Sequence, residues 1–338
     1  MQRNFILTDV MKTGNHLELE EYINMNSMPH QDFHMTGEYY TLHDYNLDAY
    51  DRRFAMIDTR VENQRLKDNP EFMAEIDRRI QLLKSQNFVF IKTTPWESPS
   101  TLESEDTWPM VDVPHVRWTG DTSWFWWLMY KKYKDHDLEF KHTEKKFDFL
   151  YLNKTPKKHR KKLYDQLHTD INTGSLVSYW PTLKLAPEYE IVHPYPERGL
   201  DQTIMPRQYE DTKYSLLSES TDVNTEVFMT ERIWKSIIAE HVFVVHGNYL
   251  YLQKLREMGF KTFSKYFDEG YDLARDQNER AEKIANTCRD LLTKNWQDIY
   301  LQTKYLRQHN KNNFFDEGRL SAEINKQLSI FLEFADRS

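Results

Sequence analysis

Short apolar runs alternate with stretches of helical period along this chain. Phe88-Val89-Phe90-Ile91, Phe147 to Leu152, Tyr214 to Leu217 and Val242-Phe243-Val244-Val245 are continuous or nearly continuous apolar segments, too short for helices. Such runs predict strands buried on both faces, as in a parallel sheet. Between them the period changes. From Pro70 to Gln86 the residues Phe72, Ile76, Ile80 and Leu83 share one helical face, and Leu163, Tyr164 and Leu167 mark a second helix. Ile233, Trp234, Ile237 and Ile238 mark a third, begun by Thr230 as cap and ending near Glu240 or His241. Strands alternating with helices predict an α/β protein.

The remaining elements are less sharply written. Asn4 to Val10 reads as an opening strand and Leu17 to Ile23 as a short helix, while Met25 to Tyr50 shows little periodicity. Ser98 to Thr107 is a polar loop, and Val113 to Asp121 carries no clear type. Ser123 to Tyr133, with Trp124, Phe125, Trp126, Trp127 and Tyr130, predicts a helix apolar over so much of its surface that it must be buried. Ser175 to Trp180 is a further candidate strand. Pro187 to Tyr209 is irregular and holds His193, Tyr195 and Arg198, a length at which loops are often functional. Tyr249 to Met258 reads as a helix and Thr262-Phe263 as a short return. Tyr271 to Arg337 is helical by period, interrupted at Phe314 to Gly318.

The densest information lies between Tyr214 and Asn248. Strand, helix and strand within that length form a βαβ unit, whose ligands lie beyond the carboxyl ends of the strands. Ser218 to Thr221, the helix start at Thr230, Glu231 and Arg232, and His246 to Asn248 would then border one crevice. A helix start offers unpaired amides and a positive dipole end, and Arg232 adds a charge suited to phosphate. The plainer reading makes Thr230 an ordinary cap and Arg232 a solvated surface group. The earlier strand ends in Asn153-Lys154, followed by His159-Arg160 at a helix start; Lys154, His159 or Arg160 could neutralise a departing diphosphate. Lys157, Lys158, Lys161 and Lys162 equally describe a basic surface helix.

Ser218-Glu219-Ser220, nine intervening residues, Thr230-Glu231-Arg232-Ile233-Trp234 and an apolar strand closing on Gly247 resemble the nucleotide-sugar signature of alpha-1,3-fucosyltransferases. The resemblance covers about thirty-five residues, with no counterpart in the first 140. Arg232 stands where that family has Lys, no Asn follows Glu219, and Glu240, His241 and Phe243 replace small residues and Pro. The resemblance implies a GT-B type fold: two Rossmann-like domains, an acceptor-side domain over 1–140 and a donor domain over 141–270, with C-terminal helices over 271–338 packing back on them. It implies a glycosyltransferase that moves a sugar from a nucleotide-diphosphate sugar to a hydroxyl of a glycan or a modified nucleobase, with no tightly bound cofactor and no essential metal. Lys154, Arg160 and Arg232 are the diphosphate candidates, Ser218, Glu219 and Ser220 those for ribose or base, and Thr230 and Glu231 those for the helix start or the sugar. Glu97 and Asp121, each just after a predicted element, are the candidate catalytic bases. The alternative is a non-catalytic structural or interaction protein on a degenerate transferase fold.

At 338 residues the chain is long enough for two domains. Its 45 Lys and Arg against 53 Asp and Glu give a net charge of −8, which does not favour nucleic acid as a partner of the whole chain. Phe, Trp and Tyr make up 14% of residues, suited to thick cores first and sugar stacking second. The single cysteine, Cys288, excludes an internal disulfide and a cysteine metal cluster and fits a reducing compartment. Asp135-His136-Asp137 has the form of a metal-binding Asp-x-Asp, but lies in a charged run with no strand before it and reads as solvated. No stretch reaches about 18 apolar residues. The expected setting is the cytoplasm, the host's if the chain is phage-encoded, as the aromatic-rich first domain suggests.

Overall fold

The computed structural model describes residues 3–9, 31–36, 48, 52–58, 70–93, 115–118, 121–153, 157–179, 185–190, 203–220 and 227–326. The chain divides into two compact units, Met1–Trp124 with Ser321–Ser338, and Phe125–Leu320. The first holds β1 (Arg3–Asp9), β2 (Gln31–Thr36), β3 (Arg52–Asp58), α1 (Pro70–Ser85), β4 (Val89–Thr93) and β5 (His115–Trp118). Its strands form one sheet of order β2-β1-β3-β4-β5, every pair parallel. The apolar stripe read on α1 faces inward: Ile76, Ile80 and Leu83 are buried. Asn87, at φ 58°, turns the chain from α1 into β4, a conformation that asparagine adopts at little cost.

Three strands of this sheet were not predicted. β2 falls in the region without clear period, β3 just after it in a stretch given no element, and β5 in the segment of no assigned type. In β2 the sequence QDFHMT does alternate, but two apolar residues among four polar ones are a weak signal. The candidate helix at 17–23 and the loop from Ser98 lie outside the described residues, as do His193, Tyr195 and Arg198.

The second unit is built on β6 (Phe147–Asn153), β7 (Leu176–Tyr179), β8 (Thr212–Ser218) and β9 (Val242–His246), again all parallel, in the order β7-β6-β8-β9. From β6 the chain runs outward through α3 (Lys158–Ile171) to β7, then returns through α4 (Pro206–Glu210) to place β8 on the other side of β6. α5 (Glu231–Ile238) joins β8 to β9 and is followed by α6 (Tyr251–Glu257), α7 (Gln277–Thr293), α8 (Trp296–Gln302) and α9 (Lys304–Phe314). Every residue of β9 and all of β8 except Lys213 are buried, as expected of strands covered on both faces. No return strand forms at Thr262-Phe263; Phe263 instead packs on Phe243 and Phe267, with ring centroids 4.9 and 5.8 Å away. No helix among the described residues is long and apolar enough to cross a membrane.

The aromatic helix α2 (Asp121–Tyr133) is as buried as its composition requires. Trp126 stacks on Trp234 of α5 at 5.4 Å, meets Phe260 edge-on at 5.1 Å, and donates its indole N–H to the Phe314 carbonyl at 2.9 Å. The indole N–H of buried Trp126 is thereby satisfied. On the far side α7 lies along α3, where Arg289 donates to the Gln166 carbonyl (2.7 Å) and pairs with Asp170 (3.1 Å). Cys288 is buried in α7, and burial pushes its thiol pKa up, which makes it inert.

At the amino ends of β8 and β9 the departures from the family pattern have packing reasons. Glu240 follows α5 in the left-handed conformation (φ 51°), and Arg307 donates to its carbonyl at 3.0 Å while Lys311 reaches its carboxylate at 3.2 Å. His241 is buried, hydrogen-bonded through Nδ1 to Ser215 Oγ (2.7 Å) and through Nε2 to the Thr212 carbonyl (2.8 Å). Nearby, Lys145 donates to His142 Nδ1 at 2.8 Å, so the proton of His142 sits on Nε2 and points to the Ala239 carbonyl, 2.9 Å away. Burial holds His142 down at about 3 and His241 well below the usual imidazole value.

This fixes the sign of an acid response. Below about pH 6.5 the unfolded chain takes protons that these buried imidazoles refuse, so stability falls with pH by up to roughly 1.4 kcal/mol per unit for each. Glu219, Glu269 and Asp272, raised by burial, oppose the trend by taking protons in the folded state first. Urea unfolding between pH 6.5 and 4.5 should show His241→Gln with a slope shallower than wild type by about one such proton. Parallel slopes would mean that His241 protonates freely in the fold.

Candidate functional site

The second sheet changes direction between β6 and β8, and the carboxyl ends of those two strands are where an open parallel sheet leaves a crevice. β8 ends at Ser218, paired with His246 of β9, and Glu219 extends the ladder by donating its N–H to the His246 carbonyl (2.9 Å). Three consecutive carbonyls then meet cations from two helix starts. Arg232 of α5 donates to the Ser218 carbonyl. Arg160 of α3 donates to the Glu219 carbonyl through Nε (3.2 Å) and Nη2 (2.9 Å), and His159 Nε2 lies 3.0 Å from the same oxygen. Lys157, just before α3, donates to the Ser220 carbonyl at 2.7 Å.

The side chain of Glu219 points the other way. It is fully buried; its carboxylate accepts from the Thr230 N–H (3.2 Å), the Thr230 hydroxyl (2.6 Å) and the Tyr251 hydroxyl (2.7 Å). Thr230 caps α5 as its sequence position predicts, its Oγ1 accepting from the Arg232 N–H at 3.4 Å. Thus the Glu219 carboxyl itself takes the donors at the start of α5, in the place where the sequence pointed to a bound phosphate. Burial raises the Glu219 pKa, against the lowering influence of Arg232 and of the bonds from Thr230 and Tyr251.

The start of α3 is different in kind. No side chain caps it, its first turn has no acidic residue, and Lys157, Lys158, His159, Arg160 and Lys161 crowd the end where the helix dipole is already positive. Beside it Asn153, the last residue of β6, is fully buried. Strand alternation puts it on the face of Tyr151, whose hydroxyl lies 3.3 Å from Ser218 Oγ and 3.4 Å from the Arg160 carbonyl. The Asn153 amide sits near that hydroxyl yet makes no hydrogen bond of ordinary geometry through either its oxygen or its nitrogen.

Burial first, and the neighbouring cations after it, shift the titrating groups of this cluster. Lys157 is held down at about 7, first by burial and then by Arg160 and Arg232. Burial, together with Arg232, lowers Arg160, and burial puts His159 at about 3 with Arg160, Lys157 and Arg232 acting in the same direction. An arrangement of this kind favours an anion with charge on several oxygens.

Of the sequence candidates, Arg160, Ser218, Glu219, Ser220, Thr230, Glu231 and Arg232 come together at this crevice. Asp121 is the first residue of α2, while Glu97 and Lys154 lie outside the described residues. Asp135, His136 and Asp137 are all exposed, and no three His, Cys, Asp or Glu side chains among the described residues gather as metal ligands. Sequence reasoning missed Asn153 and Tyr251, and left Lys157 among the surface lysines. The signal for Lys157 was the absence of any acidic or capping residue at a helix start so rich in cations. Compared with known proteins, the chain matches no family model, no curated protein and no solved structure.

Gly247 is tied to this network. A Cβ there would lie 2.6 Å from the ring of Tyr251, which is pinned at its far end by Glu219. Gly247→Ala should therefore lower the unfolding free energy by about 1–3 kcal/mol, the usual cost of overpacking. Adding Tyr251→Ala should make the pair markedly non-additive in urea denaturation, because the second change removes the clash.

Proposed function

We propose that the chain is a glycosyltransferase that binds the diphosphate of a nucleotide sugar at the carboxyl ends of β6 and β8 and passes the sugar to a hydroxyl acceptor. The observation that carries this reading is the convergence of Lys157, Arg160 and Arg232 on the carbonyls of Ser218, Glu219 and Ser220 at the switch in strand order. On this reading both units are Rossmann-like, the second holding the donor; the two parallel sheets with reversing strand order support it.

The chemistry required is modest. As the bond between the anomeric carbon and the β-phosphate oxygen breaks, negative charge grows on the diphosphate. Guanidinium and ammonium groups already fixed in a low-dielectric crevice stabilise that charge without reorganising. Three cations are enough to balance the two charges of a nucleotide-sugar diphosphate, so the reading calls for no bound metal. A carboxylate takes the acceptor proton, with Glu97 and Asp121 as the candidates from the sequence. Ser218 and Ser220 are left for ribose or base; Glu219, with both carboxylate oxygens engaged in capping α5, positions Thr230 and Arg232.

A second reading has its own observation. The cations already meet backbone acceptors and Glu219 already occupies the start of α5, as in a fold that has kept its scaffold and lost its ligand. Thermal unfolding with UDP, GDP, CDP and ADP and their common sugars, with and without a divalent cation, separates the two. A ligand at one hundred times its Kd adds about 2.7 kcal/mol, or roughly 5–10 °C for a unit of this size. The transferase reading expects such a shift with one nucleotide class, lost in Arg232→Ala and partly kept in Arg232→Lys. No shift at millimolar concentration with any of them would leave the non-catalytic scaffold.

A further inference from the structure

The turn from β9 into α6 is held more tightly than a connection needs. Arg280 donates to the Gly247 carbonyl (3.0 Å), and the Asn248 side chain accepts from the Phe228 N–H (3.0 Å), two residues before Thr230. Leu250, the residue before α6, stands in the left-handed conformation (φ 63°), where a Cβ crowds the following carbonyl, and it offers no side-chain cap. Asp272, beyond the far end of the helix in sequence, supplies one. Its carbonyl accepts from the Leu250 N–H (3.0 Å) and its carboxylate from the N–H groups of Leu252 (2.7 Å) and Gln253 (3.0 Å). A disfavoured backbone conformation persists only where the surrounding bonds over-determine it, and such places cluster at functional sites.

What this turn delivers is the Tyr251 hydroxyl. The ring fills the space above Gly247, where a Cβ would lie 2.6 Å from it, and the hydroxyl donates to Glu219 Oε1 at 2.7 Å. From there the connection to α5 has no gap. The same oxygen accepts the Thr230 N–H (3.2 Å), and Oε2 accepts the Thr230 hydroxyl (2.6 Å), which in turn accepts the Arg232 N–H (3.4 Å). Arg232 reaches back with its guanidinium to the Ser218 carbonyl, one residue before Glu219. The path from Tyr251 to Arg232 thus closes on the end of β8. Tyr251 is itself buried, so it can act on a ligand only through the groups that it holds.

We propose that Tyr251 is a positioning residue of the anion site: through Glu219 and Thr230 it fixes the first turn of α5, and so the place from which the Arg232 guanidinium meets a diphosphate. The proposal rests on the reading of the crevice as a diphosphate site. A guanidinium gains more from fixed placement than an ammonium does, because its planar fork must match phosphate oxygens in direction as well as in distance. Loosening the cap of α5 therefore harms Arg232 more than it would harm a lysine on the same turn. The strained Leu250 and the space above Gly247 are, on this view, what aims the hydroxyl.

A double-mutant cycle on binding tests this. The full chain is titrated calorimetrically with UDP-glucose, GDP-mannose, CDP-glucose and ADP-glucose in turn, as wild type, Tyr251→Phe, Arg232→Lys and the pair. Phenylalanine keeps the ring above Gly247 and removes only the hydroxyl. The expected result is an affinity about tenfold weaker for Tyr251→Phe in the wild-type background, but less than about threefold weaker in Arg232→Lys, whose flexible stem finds the phosphate from either placement of the turn. Thr230→Val, which breaks the same path at its next hydroxyl, should repeat both results. Equal losses in the two backgrounds would overturn the proposal, since these residues would then act on the fold as a whole, and so would unchanged affinity in either variant. If none of the four probes binds wild type, the diphosphate reading itself falls and the proposal with it; binding by wild type without the coupling strikes the positioning role alone.

Discussion

The second unit depends on one buried carboxylate. Glu219 stands directly after β8, and its side chain takes two hydrogen bonds from Thr230 and one from Tyr251. It therefore ties the end of a central strand to the starts of two helices. A carboxylate removed from water is costly unless its lone pairs are met by donors, and here backbone N–H, threonine hydroxyl and phenol meet them together. The constraint then spreads. Tyr251 can reach Glu219 only because Gly247 leaves room for its ring, and Thr230 can serve both Glu219 and the Arg232 N–H only from the cap position. Arg232 is in turn held over the Ser218 carbonyl.

The two ends of this sheet manage charge in opposite ways. At the amino end, Lys145 spends its three donors on His142 and on the carbonyls of Tyr209 and Glu210, and His142 stays neutral, accepting from Lys145 and donating to the Ala239 carbonyl. Those groups satisfy one another in a fixed tautomer, as a structural polar network should. At the carboxyl end, Lys157, Arg160 and Arg232 gather on successive carbonyls, and a fourteen-residue helix begins with no side-chain cap. Local rules of this sort are broken in folded proteins mainly where function asks for it. The contrast singles out the carboxyl end, within one sheet and with the same residue types.

Much of the scaffold was legible from period alone. The runs at 88–91, 147–152, 214–217 and 242–245 all became parallel strands, because strands buried on both faces must be apolar throughout and so stand out. β2 was not read, since mixed polar and apolar positions leave a short segment ambiguous; β3 was passed over although Phe54-Ala55-Met56-Ile57 is an apolar run of the same kind. At the carboxyl ends of β6 and β8, residue types and spacing had grouped Ser218 to Ser220 with Thr230 to Arg232 and singled out Arg160 nearby, and in the fold these residues do lie together. What they could not give was direction. Whether a glutamate points outward to a ligand or inward to a helix start depends on Tyr251, thirty-two residues later, and on the space above Gly247. Lys157 was hidden for a similar reason: in the sequence it is one lysine of several, and only the path of β8 sets it apart.

That direction changes what the family-like signature means. A motif of strand end, threonine cap and basic residue suggests a phosphate at the helix that follows. Here the helix start is already occupied by a carboxylate of the chain, so α5 contributes Arg232 and a rigid cap, while the open positive dipole belongs to α3 on the other side of the switch. An anion bound between them would meet α3 end-on and the arginine of α5 from the side. Two arginines and a lysine meet three successive carbonyls at the end of β8. These contacts hold the end of β8, and the peptide oxygens they meet let so many cations gather there in the fold.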